Sequence, residues 1–409
     1  MKILDLHIQG FRSLKDISWK PGDLNLIIGP NGSGKSNLLK ALEMLCSSAR
    51  GRLSDRVTRE GGMESLVWDG QATGAVRWDM HFQREEPDPV NRLWSYELEI
   101  KRMGATSAYQ IEQEELGYNP GNSTFPDYVI RVFQRKNTEA SLTRPEAVLQ
   151  PNESNLSKKL VHVFDKFPIE NNAETILAAA ASPFTSRPEI SSVQKAISGW
   201  SIYQDFQTHH EAPVRRAPVT RRETTVAADG SNLVQVLHTL YTGDRQFKQD
   251  LDLAMRAAFN EDFEEIVFPP DADQRIQLRL RWKGLKHAQS AADLSDGTLR
   301  FLYLIAILAN PNPPTFIAID EPENGLHPSM LPIIAEYARD ASKRTQVILT
   351  THSAELLDAF SEFNPTVTVA KWSDGQTQLE VLSGESLRYW LQDYTLGKLY
   401  RSGELEDLS

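Results

Sequence analysis

The sequence predicts an α/β fold built on a parallel sheet with helices on its faces, and three stretches predict it. Residues 29 to 36 read Gly-Pro-Asn-Gly-Ser-Gly-Lys-Ser, a G-x-x-x-x-G-K-[ST] run between the apolar stretch 24–28 and the helix-spaced stretch 37–45. That is the strand, loop and helix context a phosphate-binding loop requires. A second apolar stretch, 315–322, ends in Asp320-Glu321-Pro322, and a third, 346–351, is followed by His352-Ser353. Apolar strands that terminate in charged residues place them at the carboxyl edge of a parallel sheet, where open α/β folds bind ligands.

Composition sets the outer limits. The chain has 409 residues, 40% apolar and 24% charged, an ordinary globular composition with room for about two to three domains. A net charge of −11 excludes a global basic footprint for nucleic acid, so any DNA contact must come from a local patch. The candidates are Arg215-Arg216 with Arg221-Arg222, and the Arg275, Arg279, Arg281, Lys283 run, each of which also reads as a solvated face. The single cysteine, Cys46, excludes an internal disulfide or a cysteine metal cluster, fits a cytoplasmic location, and reads as a small core residue. There is no signal peptide and no run of about 18 apolar residues, so a membrane role is not expected.

Taken in order, residues 1–20 alternate as a hairpin, with Arg12, Ser13 and Lys15 in its turn. Residues 50–70, with Gly61-Gly62, read as a mobile connection. Residues 75–82 and 94–100 alternate strictly, as antiparallel strands with one solvated face do, and 109–115 and 128–135 extend that sheet. The stretch 136–200, with Pro145, Pro151, Pro188 and an alanine-rich run at 173–181, reads as a helical insertion with long loops. His209 and His210 are adjacent but have no carboxylate or cysteine at ligand spacing. Helices follow at 232–237, behind a Ser231 cap, and at 247–259, then a strand at 276–282. Leu294-Ser295-Asp296-Gly297-Thr298 opens a long apolar helix ending before Asn310-Pro311, and its serine cap makes an anion-attracting terminus. The expected division is 1–135, an N-terminal lobe with an antiparallel subdomain; 136–230, the insertion; and 231–409, the C-terminal lobe.

The chemistry follows from these residue types. Gly29, Gly32 and Gly34 let the loop curl so that backbone N–H groups face inward, and the helix terminus adds partial positive charge. Lys35 reaches the β- and γ-phosphates, and the Ser36 hydroxyl ligates Mg²⁺. Asp320 holds Mg²⁺ through water, Glu321 orients or deprotonates the attacking water, and His352 stands near the γ-phosphate.

Phosphate loop 29–36, signature 294–298, acidic strand 316–321, the 324–327 loop and His352 occur in the order of ABC-type ATPases, and the chain resembles their soluble RecF- and OLD-like branch, related to the heads of SMC proteins. Residues 11–15, Gly61-Gly62, 319–328 and 391–399 resemble that branch too. The resemblance implies a P-loop NTPase head of ABC type with a mixed β lobe, a parallel core sheet flanked by helices, and a helical insertion. It implies ATP and Mg²⁺ as ligands, with Asn31, Gly32, Ser33, Gly34, Lys35, Ser36, Asn37, Arg12, Ser295 and Gly297 binding nucleotide. Ser36 and Asp320 would hold the metal, and Glu321, His352 and Lys35 would carry catalysis. It implies a homodimer that sandwiches ATP, since the signature serves the opposite protomer, and a role in DNA repair or anti-phage defence with possible DNA binding. A nucleotide-switched clamp with little turnover and an ABC transporter subunit are the alternatives. The branch's Q-loop glutamine has two candidates, Gln134 and Gln204. Some 57 residues follow His352, fewer than the TOPRIM nuclease of many OLD-like proteins needs, so a nuclease or other effector is expected on a separate polypeptide.

Overall fold

The computed structural model describes residues 1–68, 74–84, 92–104, 106–119, 130–152, 155–169, 171–180, 187–382 and 394–407. Of the stretches singled out above, residues 69–70, 128–129, 153–154, 170, 181–186 and 391–393 lie outside them. The chain divides into two compact units: 1–20, 40–199 and 372–379 make one, and 21–39, 200–371 and 380–409 the other. These units cut across the three-part division expected from sequence.

In the first unit an eight-stranded antiparallel sheet runs in the order Leu14–Trp19, Lys2–Phe11, Ala75–Gln83, Leu93–Arg102, Tyr109–Asn119, Ile130–Lys136, Glu139–Asn152, Asn155–Pro168. Strict alternation at 75–83 buries Val76, Trp78, Met80 and Phe82 on one face, and Trp94, Tyr96, Leu98 and Ile100 do the same one strand over. Two expectations fail here. Much of the stretch read as a helical insertion is a β-hairpin, Glu139–Asn152 with Asn155–Pro168, closed around residues 152 and 155. Pro145 and Pro151 pointed to loops, yet both sit in the strand Glu139–Asn152, which beyond residue 142 pairs on one side only, with Asn155–Pro168, so that the missing N–H groups of proline are tolerated. The alanine run contributes a single turn, Ile176–Ala179, and Pro188 starts the helix Pro188–Ser198 from its first turn, where proline fits. Likewise the connection after residue 50 is not loop but two helices, Leu53–Arg59 and Met63–Leu66, the first fastened by the Arg56 guanidinium to Glu43 and Glu60.

A buried polar cluster ties this unit together. Glu114, fully buried, accepts from the backbone amides of Ile176 (2.6 Å) and Leu177 (2.9 Å) and from the Tyr96 hydroxyl (3.1 Å). Arg135, equally buried, donates to the carbonyls of Asn137, Glu174 and Asn172. Burial pushes the Glu114 carboxyl up to about 7, against the pull of those amides, the hydroxyl and Arg135.

The second unit carries a parallel sheet in the order Ser201–Tyr203, Phe316–Asp320, Gln346–Thr351, Leu24–Ile28 and residues 366–371 of the strand Thr366–Ser373. Residues 24–28, 316–319 and 346–351 are buried without alternation, as strands covered on both faces are. Around them pack the helices Leu233–Gly243, Arg245–Phe259, Asp296–Leu308, Leu331–Ser342 and Ala354–Phe360. Asn232, not Ser231, caps the first of these, without a side-chain hydrogen bond. No helix among the described residues is long and apolar enough to cross a membrane.

Candidate active site

Register brings the predicted residues to one sheet edge. Asp320 pairs with Thr350 and Ile28 with Thr351, so the phosphate loop, the acid pair and His352 all leave the sheet at the same level. Tyr203 pairs with Ile319, which puts Gln204 beside Asp320 at that edge.

The loop is built for close backbone approach. Gly29 has φ 147°, and a Cβ there would stand 2.2 Å from the Ala370 carbonyl oxygen and 2.9 Å from Ser33 Oγ, so no side chain fits. Asn31 and Gly32 are exposed at the tip, Ser33 is buried, and Gly34 and Asn37 are half-buried. Lys35, 5% exposed, turns its ammonium onto the carbonyls of Gly29 (2.7 Å) and Pro30 (3.1 Å). Burial holds the Lys35 ammonium below its usual range, opposed by the fields of Glu321, Asp320 and Glu323. Ser36 donates to Asp320 Oδ2 at 3.1 Å. A hydroxyl and a carboxylate converging beside a glycine-rich loop form the hard-oxygen donor pair that suits Mg²⁺ on a nucleotide.

The acid strand ends under constraint. Glu321 takes φ 47°, a left-handed conformation costly for a residue with a side chain. It is held there by its amide, which donates to the Thr350 carbonyl (3.2 Å) and hydroxyl (3.1 Å). The Thr350 hydroxyl in turn donates to Asp320. The Glu321 carboxylate lies 3.0 Å from His352 Nδ1 and accepts from Asn324 Nδ2 at 2.8 Å.

The signature helix, Asp296–Leu308, is capped by Ser295, whose Oγ accepts from the Thr298 amide at 3.1 Å. A Cβ on Gly297 would lie 2.8 Å from the Gly325 carbonyl oxygen, so the helix start rests directly on the 324–327 turn. His327 caps the turn Pro328–Met330, its Nδ1 2.8 Å from Ser329 Oγ.

The fold and its comparisons agree. Residues 1–195 match the family model "AAA ATPase domain", and residues 187–358 match "AAA domain, putative AbiEii toxin, Type IV TA system". The chain is 24% identical over 404 residues to the "Retron Ec83 probable ATPase" of Escherichia coli, covering 89% of this chain and 71% of that one. It is 45% identical over 62 residues to the "DNA replication and repair protein RecF" of Shewanella pealeana, a local match to 14% of this chain and 17% of that protein. Among solved structures, an SMC head bound to the C-winged helix domain of ScpA superposes with TM-score 0.57 at 13% identity, covering 94% of this chain and 99% of that one. The chain carries AAA-type ATPase domains by sequence and is similar to RecF locally and to the heads of SMC proteins in fold.

Within this chain, Gln204 and Gln134 part company. Gln134 lies in the first unit and donates to Glu115 Oε2 at 2.8 Å. Gln204 lines a small cavity of about 30 Å³ with Arg300, Asp320 and Glu321, and its buried Nε2 has no hydrogen-bond partner among the described residues. Arg12 belongs to the first unit, at φ 48°, with its guanidinium on Glu60. His209 and His210 are exposed, and no cluster of three or more histidines, cysteines or carboxylates among the described residues is arranged to hold a metal. Arg215, one of the surface-patch candidates, is a structural residue instead. It donates to the carbonyls of Thr208, Ala291, Ala292 and Leu294 and to the Asp296 carboxylate (2.5 Å), fastening the segment that leads into the signature helix. Its neighbours Arg216, Arg221 and Arg222 are exposed. Three site residues escaped sequence reading: Thr350, Arg215 and Glu323. The first two are ordinary polar residues whose role depends on partners far along the chain. Glu323 lay in plain view three positions after Asp320, on the same turn.

Proposed function

We propose that this chain is an ATP-hydrolysing head that closes as a homodimer around ATP and transmits nucleotide state to DNA or to a separately encoded effector, in DNA repair or anti-phage defence. The observation that carries this reading is the convergence of Lys35, Ser36, Asp320, Glu321 and His352 at one sheet edge, with Ser36 and Asp320 3.1 Å apart. Gly32, Ser33, Gly34 and Lys35 surround the phosphates, and Asn31 and Asn37 flank them. Ser36 and Asp320 would hold the metal, which would supply charge neutralisation at the phosphates. Glu321, oriented by Thr350 and Asn324, takes the proton of the attacking water. His352 faces the leaving phosphate, and Gln204, whose amide nitrogen has no hydrogen-bond partner among the described residues, is the residue assigned to sensing the loaded site. Ser295 and Gly297 serve the nucleotide of the second copy.

The likenesses to a retron ATPase and to RecF, and to an SMC head whose solved structure includes a partner domain, support an effector-coupled role. Steady-state phosphate release with ATP and Mg²⁺ tests it, comparing the wild-type chain with Glu321→Gln. Turnover in the wild type that is abolished in Glu321→Gln is the expected result. Equal release from both would overturn the assignment of Glu321.

A further inference from the structure

Glu323 is the acid of this site to which the hydrolysis scheme gives no work. Its side chain is 8% exposed, and burial pushes its carboxyl above the usual range, against hydrogen bonds from Thr351 and His352. One oxygen, Oε1, accepts from Thr351 Oγ1 at 2.5 Å and from the His352 amide at 3.2 Å, and stands 3.8 Å from His352 Nδ1. The other, Oε2, is buried with no hydrogen-bond partner among the described residues. A half-satisfied buried carboxylate weakens a fold unless it orders something.

What it orders is visible one bond further on. Thr351 Oγ1, while donating to Glu323, accepts from the Ser353 amide at 3.0 Å. Ser353 Oγ accepts from the Leu356 amide at 3.2 Å and so caps the helix Ala354–Phe360. A chain of hydrogen bonds therefore runs from Glu323 through Thr351 to Ser353, with His352 at its centre and the imidazole laid against Glu321 (3.0 Å). Linked bonds of this kind reinforce one another away from water.

We propose that Glu323 is a positioning residue for hydrolysis, acting through Thr351 and the His352 amide to hold the His352 imidazole on Glu321. This rests on the assignment of Glu321 and His352 given above. Only the accepting oxygen is needed. Glutamine can keep Oε1 in place and put its amide nitrogen where Oε2 now lies, whereas alanine removes the anchor.

The test uses the full chain with ATP and Mg²⁺, measuring phosphate release, affinity for a fluorescent ATP analogue, and imidazole resonances of ¹⁵N-histidine-labelled protein, His352 being assigned from its loss in His352→Ala. Glu323→Ala should lower turnover by on the order of tenfold, the scale seen when a group that orients a reacting side chain is lost. Nucleotide affinity should stay within about twofold, since the hydrogen bonds that hold Glu323 run to Thr351 and the His352 amide. The His352 resonances should move in Glu323→Ala and stay in place in Glu323→Gln, which should also retain most turnover. In a His352→Ala background, Glu323→Ala should lower turnover no further. Should Glu323→Ala fail to fold, Thr351→Val cuts the same chain and should displace the same resonances. Unmoved His352 resonances in Glu323→Ala, or in Thr351→Val where that variant stands in, would overturn the proposal, and so would unchanged turnover in Glu323→Ala. Persistent turnover in Glu321→Gln would instead count against the hydrolysis scheme itself.

Discussion

The amide of Glu321 donates to both oxygens of Thr350, at 3.2 Å to the carbonyl and 3.1 Å to the hydroxyl, and so holds a left-handed backbone at the first residue past the acid strand. The same hydroxyl binds Asp320, so one side chain orients both acids. Thr350→Val preserves shape and removes the hydroxyl. It should cost about 1–2 kcal/mol of stability, raise the Mg²⁺ concentration needed for half-maximal phosphate release, and lower turnover by roughly tenfold or more. An unchanged Mg²⁺ dependence would show that Thr350 does not orient the acids.

Lys35 is the cation closest to the phosphate loop's own carbonyls. Lys35→Ala should lower nucleotide affinity and turnover together, the latter by about 100-fold or more. Isothermal titration with ATP alongside phosphate release separates the two effects. Unimpaired release would remove the loop from the mechanism.

Closure of the dimer is tested by pairing two variants. Glu321→Gln keeps size and hydrogen bonding but removes the base, so sedimentation velocity should show ATP-dependent accumulation of a dimer. Adding Ser295→Arg should abolish that species while nucleotide binding to the single chain persists. A distance probe across the interface covers a dimer held by other surfaces. An ATP-induced change that survives Ser295→Arg would rule out a composite site.

Arg215 makes five hydrogen bonds along the approach to the signature helix, a fork that lysine cannot reproduce. Arg215→Lys should lower stability by about 1–3 kcal/mol and weaken ATP-dependent dimer formation more than nucleotide binding. A matching loss in both would place its effect elsewhere.

Glu114 gives a pH signature in the first unit. Its carboxyl is raised from 4.5 to about 7 by burial, so folding favours the protonated form. The stability it contributes is complete below about pH 4.5, falls as pH rises towards 7, and is gone above that. The difference in melting temperature between wild type and Glu114→Gln should therefore change between pH 4.5 and 7 and be flat beyond. Glu114→Ala, which strands the Ile176 and Leu177 amides, should cost about 2–4 kcal/mol below about pH 4.5 and less as pH rises towards 7. A wild-type minus Gln difference that is level across the window would contradict the buried, protonated acid.

The parallel sheet was legible because strands covered on both faces leave uninterrupted apolar runs, and the runs at 24–28, 316–320 and 346–351 carried their functional residues at their ends. The antiparallel lobe was legible where alternation was strict, as at 75–83 and 94–100. It failed at 139–168, where proline, lysine and asparagine dilute the pattern of strands near a sheet edge and mimic loop. Leu53–Arg59 was missed because a short helix held by Arg56 to Glu43 and Glu60 has little apolar periodicity to display. The roles of Arg215 and Glu323 rest on pairings between distant segments, and a single sequence carries no trace of those.

The contact of Gly297 with Gly325 joins two backbones without an intervening side chain. A rotatable side chain would take up small displacements as slack, and here there is none. The turn that follows the catalytic carboxylates and the first turn of the signature helix thus form one stiff lever, 28 residues apart in sequence. A tilt of the first is expected to carry to the second. Even alanine at position 297 would act as a shim under that lever, altering the timing between chemistry and assembly while every reacting group stayed in place.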